Sequence, residues 1–225
     1  MRVLIACEES QTACKAFREK GHEAYSCDIV ECSGGHPEWH IKQDVLPLLN
    51  GDCEFVSEDG QLHRINGEWD MIIAHPPCTF ITAAGACRMY PKKGQPPDID
   101  RLIKMLEAVL FFYKILFAKC KRICVENPRP LKIAPLVPES QRIQPYMWRD
   151  TAGEDYTKLT YLWLIGLPPL VPKYSDKTEN TMPYVNAGCK TASGERRKKQ
   201  GVSFSQKSRS KTFEGIAKAM AEQWG

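Results

Sequence analysis

Five residues of this 225-residue chain carry reactive side chains at points where an apolar run is about to end: Glu8 in IACEES, Asp28 in YSCDIV, Asp44 in IKQDVL, Cys78 in AHPPCT and Glu126 in VENP. A cysteine attacks as its thiolate. A carboxylate accepts hydrogen bonds or moves a proton. Pro76 and Pro77 precede Cys78; they stiffen the backbone and remove amide donors, which would present the sulfur at a fixed height beyond its strand. Three roles are open to such a thiol: packing, metal ligation and nucleophilic attack. The ten cysteines include no Cys-x-x-Cys pair and no Cys/His set at zinc-finger spacing, so no metal is expected. Cys7, Cys14, Cys120 and Cys124 read as small buried hydrophobes. A Cys and a Glu at neighbouring strand ends suit attack on, and protonation of, one flat electron-poor ring. Asp28 stands where nucleotide-binding α/β folds place a ribose-binding acid. Asp44 can accept from an adenine amino group.

The elements that must position these groups follow from periodicity. RVLIAC reads as a strand, and TACKAFREKG as a helix stopped by Gly21. HEAYSCDIV reads as a second strand, completing a βαβ unit. A short third strand ends near Asp44, CEFVSEDGQLHRINGEWD forms a hairpin-like excursion, and DMIIAHPP is the next strand. TAAGACRMYPKKGQPPDID is a polar loop. The longest helix is DRLIKMLEAVLFFYKILFAKC, with apolar residues at Leu102, Met105, Leu106, Val109, Leu110 and Tyr113. KRICVENP and YTKLTYLWLIG are strand-like, and FEGIAKAMAEQW closes the chain as a helix. The fold class is therefore α/β, a mostly parallel, doubly wound sheet. Such sheets bind ligands beyond the carboxyl ends of their strands.

Several function classes are disfavoured. The first turn, CEESQT, has no G-x-G-x-x-G, so backbone cannot closely approach a pyrophosphate and NAD or FAD is not expected. A nucleoside cofactor without phosphates, such as S-adenosylmethionine, fits better. No apolar run approaches the roughly 20 residues of a membrane span, and the N-terminus lacks the features of a signal peptide. A cytoplasmic protein with no membrane partner is expected. Net charge is only +4, yet Pro172 to Lys211 is predominantly basic. It could track a phosphate backbone through Arg196, Arg197, Lys198, Lys199, Lys207 and Arg209, or be a solvated surface segment.

The chain resembles the DNA cytosine-5 methyltransferases, in a compact form of the kind often encoded by phages. Pro76-Pro77-Cys78 is similar to that family's Pro-Cys nucleophile loop, and Glu126-Asn127-Pro128 to its Glu-Asn-Val motif. IACEESQTACKAFREKGHEAYSCDI matches the layout of its cofactor motif, FEGIAKAMAEQW its C-terminal helix returning beside the first strand, and KLTYLWLIGLPPL the position of its Gln-x-Arg-x-Arg strand. The resemblance implies a Rossmann-like class I S-adenosylmethionine-dependent methyltransferase. Its catalytic core is residues 1–171 and 209–225, and the basic insertion 172–208 serves as a reduced target-recognition region. It implies that Cys78 adds to carbon 6 of cytosine while Glu126, beside Pro77 and Asn127, holds the ring and supplies a proton. Lys158 and Thr160 then replace the family's arginines near the target base. Cys7, Glu8, Glu9, Ser10, Gln11, Asp28, Ile29, Asp44, Val45, His75 and Pro76 line the cofactor side, with His75 shaping the loop. The implied substrate is duplex DNA with the target base flipped out. The implied protein is a monomer that reads a short sequence, in a host cytoplasm if phage-encoded. Three departures stand out: Glu9-Ser10-Gln11 in place of a Gly-rich turn, the missing arginines and the small recognition region. The alternatives are pyrimidine methylation of RNA or a free nucleotide, and an inactive cofactor- or nucleic-acid-binding protein.

Overall fold

The computed structural model describes residues 1–90, 94–150, 153–184 and 211–225. The strands are β1 (Arg2–Ala6), β2 (Glu23–Asp28), β3 (His40–Lys42), β4 (Cys53–Val56), β5 (Leu62–Ile65), β6 (Met71–Ala74), β7 (Ile123–Pro128), β8 (Gln141–Ile143), β9 (Tyr156–Thr157), β10 (Thr160–Ile165) and β11 (Met182–Pro183). The helices are α1 (Thr12–Glu19), α2 (Ala86–Met89), α3 (Ile99–Leu116) and α4 (Glu214–Trp224). Seven strands form one sheet in the order β3-β2-β1-β6-β7-β10-β8. β3, β2, β1, β6 and β7 run parallel, and β10 is antiparallel to both of its neighbours. This is an α/β architecture compatible with a Rossmann-like fold.

Strand alternation divides the core into two layers, because successive side chains point to opposite faces. Val3, Ile5, Met71, Ile73, Cys124 and Leu162 meet α1 and α4 on one face. Leu4, Ala6, Ile72, Ala74, Ile123, Val125 and Trp163 meet α3 and the β4–β5 hairpin on the other. The runs RVLIA and MIIA are continuously apolar because both faces of their strands are covered. After β3 the chain crosses to the far side of β1 to lay down β6. The crevice beyond the carboxyl ends of β1 and β6 is thus the topological switch point.

α3 starts at Asp98, whose side chain accepts from the Arg101 amide at 2.8 Å. It buries Met105, Val109, Phe112, Ile115 and Leu116. Leu106 and Leu110, apolar and in helical register, face outward instead. The sheet covers only one side of this helix, and Phe112 and Ile115 already occupy that side.

The stretch read as a polar loop contains a 3-10 turn at Ala83–Gly85 and then α2. β8 was not expected: it has three residues and is a strand only because it pairs with β10. Residues 172–184, the first part of the expected insertion, are tied to the core. β11 pairs with β9, and the Lys173 and Tyr174 amides donate to the Met147 carbonyl. No helix among the described residues is long and apolar enough to cross a membrane.

Gly166 closes β10 with φ +63°, and a Cβ there would collide with the Lys121 carbonyl oxygen just ahead of β7. Gly166→Ala is therefore expected to destabilise the fold by about 2–4 kcal/mol. Urea denaturation measures this, and an unchanged midpoint would contradict the geometry.

Candidate active site

The β1–α1 turn takes an unusual path. Cys7 and Gln11 both adopt left-handed backbone, with φ 59° and 58°, a conformation that costs non-glycine residues about 1–2 kcal/mol each. Between them Glu8 turns under α1 and accepts from the Ala13 and Cys14 amides at 2.7 and 3.1 Å. These are the helix-start donors that a pyrophosphate would need. A protein carboxylate already holds them, which gives a physical reason for the missing glycine motif. Gln11 is fully buried. Its side-chain amide donates to the His36 carbonyl and its side-chain oxygen accepts from the His36 amide, so it braces the following loop.

Two adjoining cavities open at the switch point. The first, about 300 Å³, is lined by Cys7, Cys27, Ile29, Val45, Pro77, Ala108 and Phe111, with Asp28, Gln43 and Asp44 as its polar members. Burial pushes the Cys7 thiol well up and Cys27 up to about 12, so both walls are neutral. The second, about 180 Å³, shares Cys7, Asp28 and Pro77 and adds Glu8, Glu9, Ser10, His75, Lys211 and Thr212. A larger cavity, about 500 Å³, lies at the opposite, amino ends of the strands. There Arg2 pairs with Asp70 and Lys119 with Glu68, and the lining holds no cysteine, serine or threonine.

The nucleophile candidate Cys78 lies in the loop after β6, and the acid candidate Glu126 lies in the adjacent strand β7. Ala74 of β6 is in register with Val125 of β7, so His75 and Glu126 follow side by side. The His75 amide donates to the Ala6 carbonyl at 2.9 Å, fixing the exit from β6. Asn127 is buried and donates from Nδ2 to the Pro76 carbonyl at 3.0 Å. Cys78 is partly exposed. Its carbonyl accepts from the Ile81 and Thr82 amides, so the chain turns immediately after it. The Ala83 amide donates to the Arg129 carbonyl and the Leu131 amide to that of Ile81. The Cys78 loop is thereby stitched to the segment following Glu126. Asn127 and the two prolines act here as framework, and Pro77 also walls both cavities.

A charged network lies beneath. His75 Nδ1 and Glu126 Oε2 are 3.0 Å apart and nearly buried. Burial alone would raise the Glu126 carboxyl, but the hydrogen bond and charge of His75, with Lys158 beyond, hold it below the ordinary range. Burial likewise opposes the His75 imidazolium, yet the Glu126 bond and the charges of Glu126 and Glu8 outweigh it, and its pKa stands above the ordinary histidine value. Glu8 itself is raised by burial, against the pull of His75 and its two amide donors. Lys158 Nζ lies 5.2 Å from the centre of the Phe213 ring and 5.8 Å from that of Tyr184. Thr160 is buried and donates its hydroxyl to the Lys158 carbonyl at 3.1 Å. It shapes the turn that carries Lys158.

The structure thus gathers Cys7, Glu8, Glu9, Ser10, Asp28, Ile29, Asp44, Val45, His75 and Pro77 around one cleft. Gln11 and Pro76 point into the framework. Arg196, Arg197, Lys198, Lys199, Lys207 and Arg209 lie outside the described residues. Gln43, Ala108, Phe111, Lys211 and Thr212 line the cleft but were not singled out from sequence. Phe111 was hidden inside a uniformly apolar helix. Lys211 and Thr212 are brought in by the return of α4 beside α1, and no local pattern signals that. Comparison with protein-family models and with curated proteins finds no match for this chain.

Proposed function

We propose that this protein is a class I methyltransferase that transfers a methyl group from S-adenosylmethionine to carbon 5 of cytosine in DNA, through a covalent adduct with Cys78. The observation that carries the reading is one of placement. A cysteine on a proline-stiffened loop and a nearly buried glutamate leave adjacent strands beside a phosphate-excluding cleft at the switch point.

The cleft suits the cofactor. Ile29, Val45 and Phe111 offer apolar walls for an adenine ring, with Asp28 available to ribose hydroxyls and Asp44 to the exocyclic amine. The adjoining cavity brings together Glu8, Glu9 and Lys211, charges of both signs for a zwitterionic amino-acid tail. S-adenosylmethionine, when bound, supplies an electrophilic methyl group. The protein's own residues do the rest. Cys78 thiolate forms a bond to carbon 6, and the displaced π electrons run toward nitrogen 3, where Glu126 delivers a proton. Carbon 5 becomes enamine-like and nucleophilic. Loss of the carbon-5 proton to solvent water then expels Cys78 as thiolate and restores the ring. A base in a duplex must leave the stack to reach this loop.

The test is transfer of labelled methyl from S-adenosylmethionine to duplex DNA, single strands, RNA and dCMP in parallel. Label in the duplex is expected. Label only in RNA or dCMP would move the substrate class, and none in any would overturn the reading. Asp28→Ala should weaken cofactor binding about 10-fold or more, as a lost pair of charge-assisted ribose hydrogen bonds would. Calorimetric titration of the cofactor reads this, and unchanged affinity would remove Asp28 from the site.

A further inference from the structure

We propose that His75 is a positioning residue that works through Glu126, its imidazolium holding the proton that Glu126 passes to the pyrimidine. This deepens the reading of the same site and rests on it. The problem His75 solves is electrostatic. A carboxylate kept ionised has no proton to give, yet nitrogen 3 must receive one as the sulfur–carbon bond forms. Among the described residues the Glu126 carboxylate is hydrogen-bonded to His75, whose Nδ1 lies 3.0 Å from Oε2.

The surroundings of the ring favour its charged form. Glu126 faces it from β7, and Glu8 from the β1–α1 turn. Lys158 opposes them from the turn before β10. Thr212, just ahead of α4, places its hydroxyl 3.4 Å from both ring nitrogens. Asp28 and Lys211 line the same cavity, one of each sign. Glu126 at hydrogen-bond distance, with Glu8 against Lys158 farther off, favours the charged ring, whose pKa accordingly stands above that of a free histidine.

The proton balance closes over one turnover. As the Cys78 sulfur bonds to carbon 6, the carbon 5–carbon 6 π pair is drawn toward nitrogen 3, which takes a proton from Glu126. Glu126 takes the Nδ1 proton of His75, leaving a neutral imidazole and an ionised carboxylate. When Cys78 leaves as thiolate, the carbon-5 proton passes to solvent water, the nitrogen-3 proton returns by the same path and the imidazolium is restored.

His75→Asn separates this role from simple support, because an asparagine amide can donate toward Glu126 but cannot titrate. In the parent, kcat/KM should fall as pH rises through the raised pKa of His75, since the proton-bearing form is lost there. His75→Asn should lose that alkaline fall and run about 10²-fold slower at neutral pH. His75→Gln, whose amide sits nearer the Nε2 position, serves if the asparagine variant fails to fold. Nitrogen-15 NMR of the imidazole supplies a readout independent of turnover. The ring should stay protonated above pH 6.5 in the parent and lose its proton at lower pH in Glu126→Gln. Variants with the parent's rate and pH profile, or a ring neutral at pH 6.5, would overturn the assignment. A parent that methylates nothing would overturn the functional reading instead, and the NMR titration would then decide the His75–Glu126 pairing alone.

Discussion

Cys78→Ser should lower methyl transfer at least about 10³-fold, equivalent to about 4 kcal/mol of lost transition-state stabilisation, without loss of folding. The hydroxyl that replaces the thiol is a far weaker nucleophile at neutral pH, because it is almost never ionised. Stability should move by no more than about 0.5 kcal/mol, since Cys78 is partly exposed and substitutions at such sites are usually mild. The turn after it is made by its carbonyl, which serine retains. DNA carrying 5-fluorocytosine gives a second readout. Fluorine cannot leave carbon 5 as a proton does, so the sulfur adduct should be trapped and visible by mass. The variant should form none. A serine protein as active as its parent would end the assignment of Cys78 as nucleophile.

Glu126→Gln carries the second largest expected effect, a loss of about 10²–10⁴-fold in turnover. Glutamine keeps the shape and one hydrogen-bond acceptor but neither the charge nor the acid. The same substitution should appear in stability, because it leaves the His75 imidazolium without its opposing charge in a nearly buried place; removing one member of such a pair costs about 3 kcal/mol. The pH dependence has a defined sign. Glu126 has a lowered folded pKa, so its contribution is present above its ordinary value of 4.5 and fades as pH falls through the lower folded value. His75 has a raised folded pKa, so its contribution is full below 6.5 and fades as pH rises through the raised value. The gap in melting temperature between parent and variant should therefore be widest between pH 4.5 and 6.5 and narrow at alkaline pH. A gap that stays constant with pH would show that the two side chains are not coupled.

Much of the architecture was legible because it rests on local rules. VLIA and MIIA announced buried strands through short unbroken apolar runs, and packed elements cover both faces of each. Gly21 ended the first helix region as expected, with φ +81°. Asp28, Cys78 and Glu126 stood out because each lies at or just beyond the end of a strand-like stretch. Other features were not legible. Leu106 and Leu110 had the right spacing to be core yet face outward, since periodicity marks an apolar face without saying what will cover it. Gln11 resembled a loop residue open to ligand, but its amide complements the backbone of His36, 25 residues away. His75 read as a loop shaper, and its bond to Glu126 spans 51 positions.

The amino-acid sequence by itself determined the α/β class, the main strands and helices, and the placing of acids and a cysteine at or near strand ends, because hydrophobic period and turn chemistry act over a few residues. Only the tertiary structure decided which ends become neighbours. Strand order put β6 beside β7 and β1, and that adjacency made one network of Glu8, His75 and Glu126. The return of α4 added Lys211 and Thr212 to the same cleft. These contacts arise from how the sheet is ordered and from burial that strengthens charge interactions at short range, and neither is written in any local stretch of the chain.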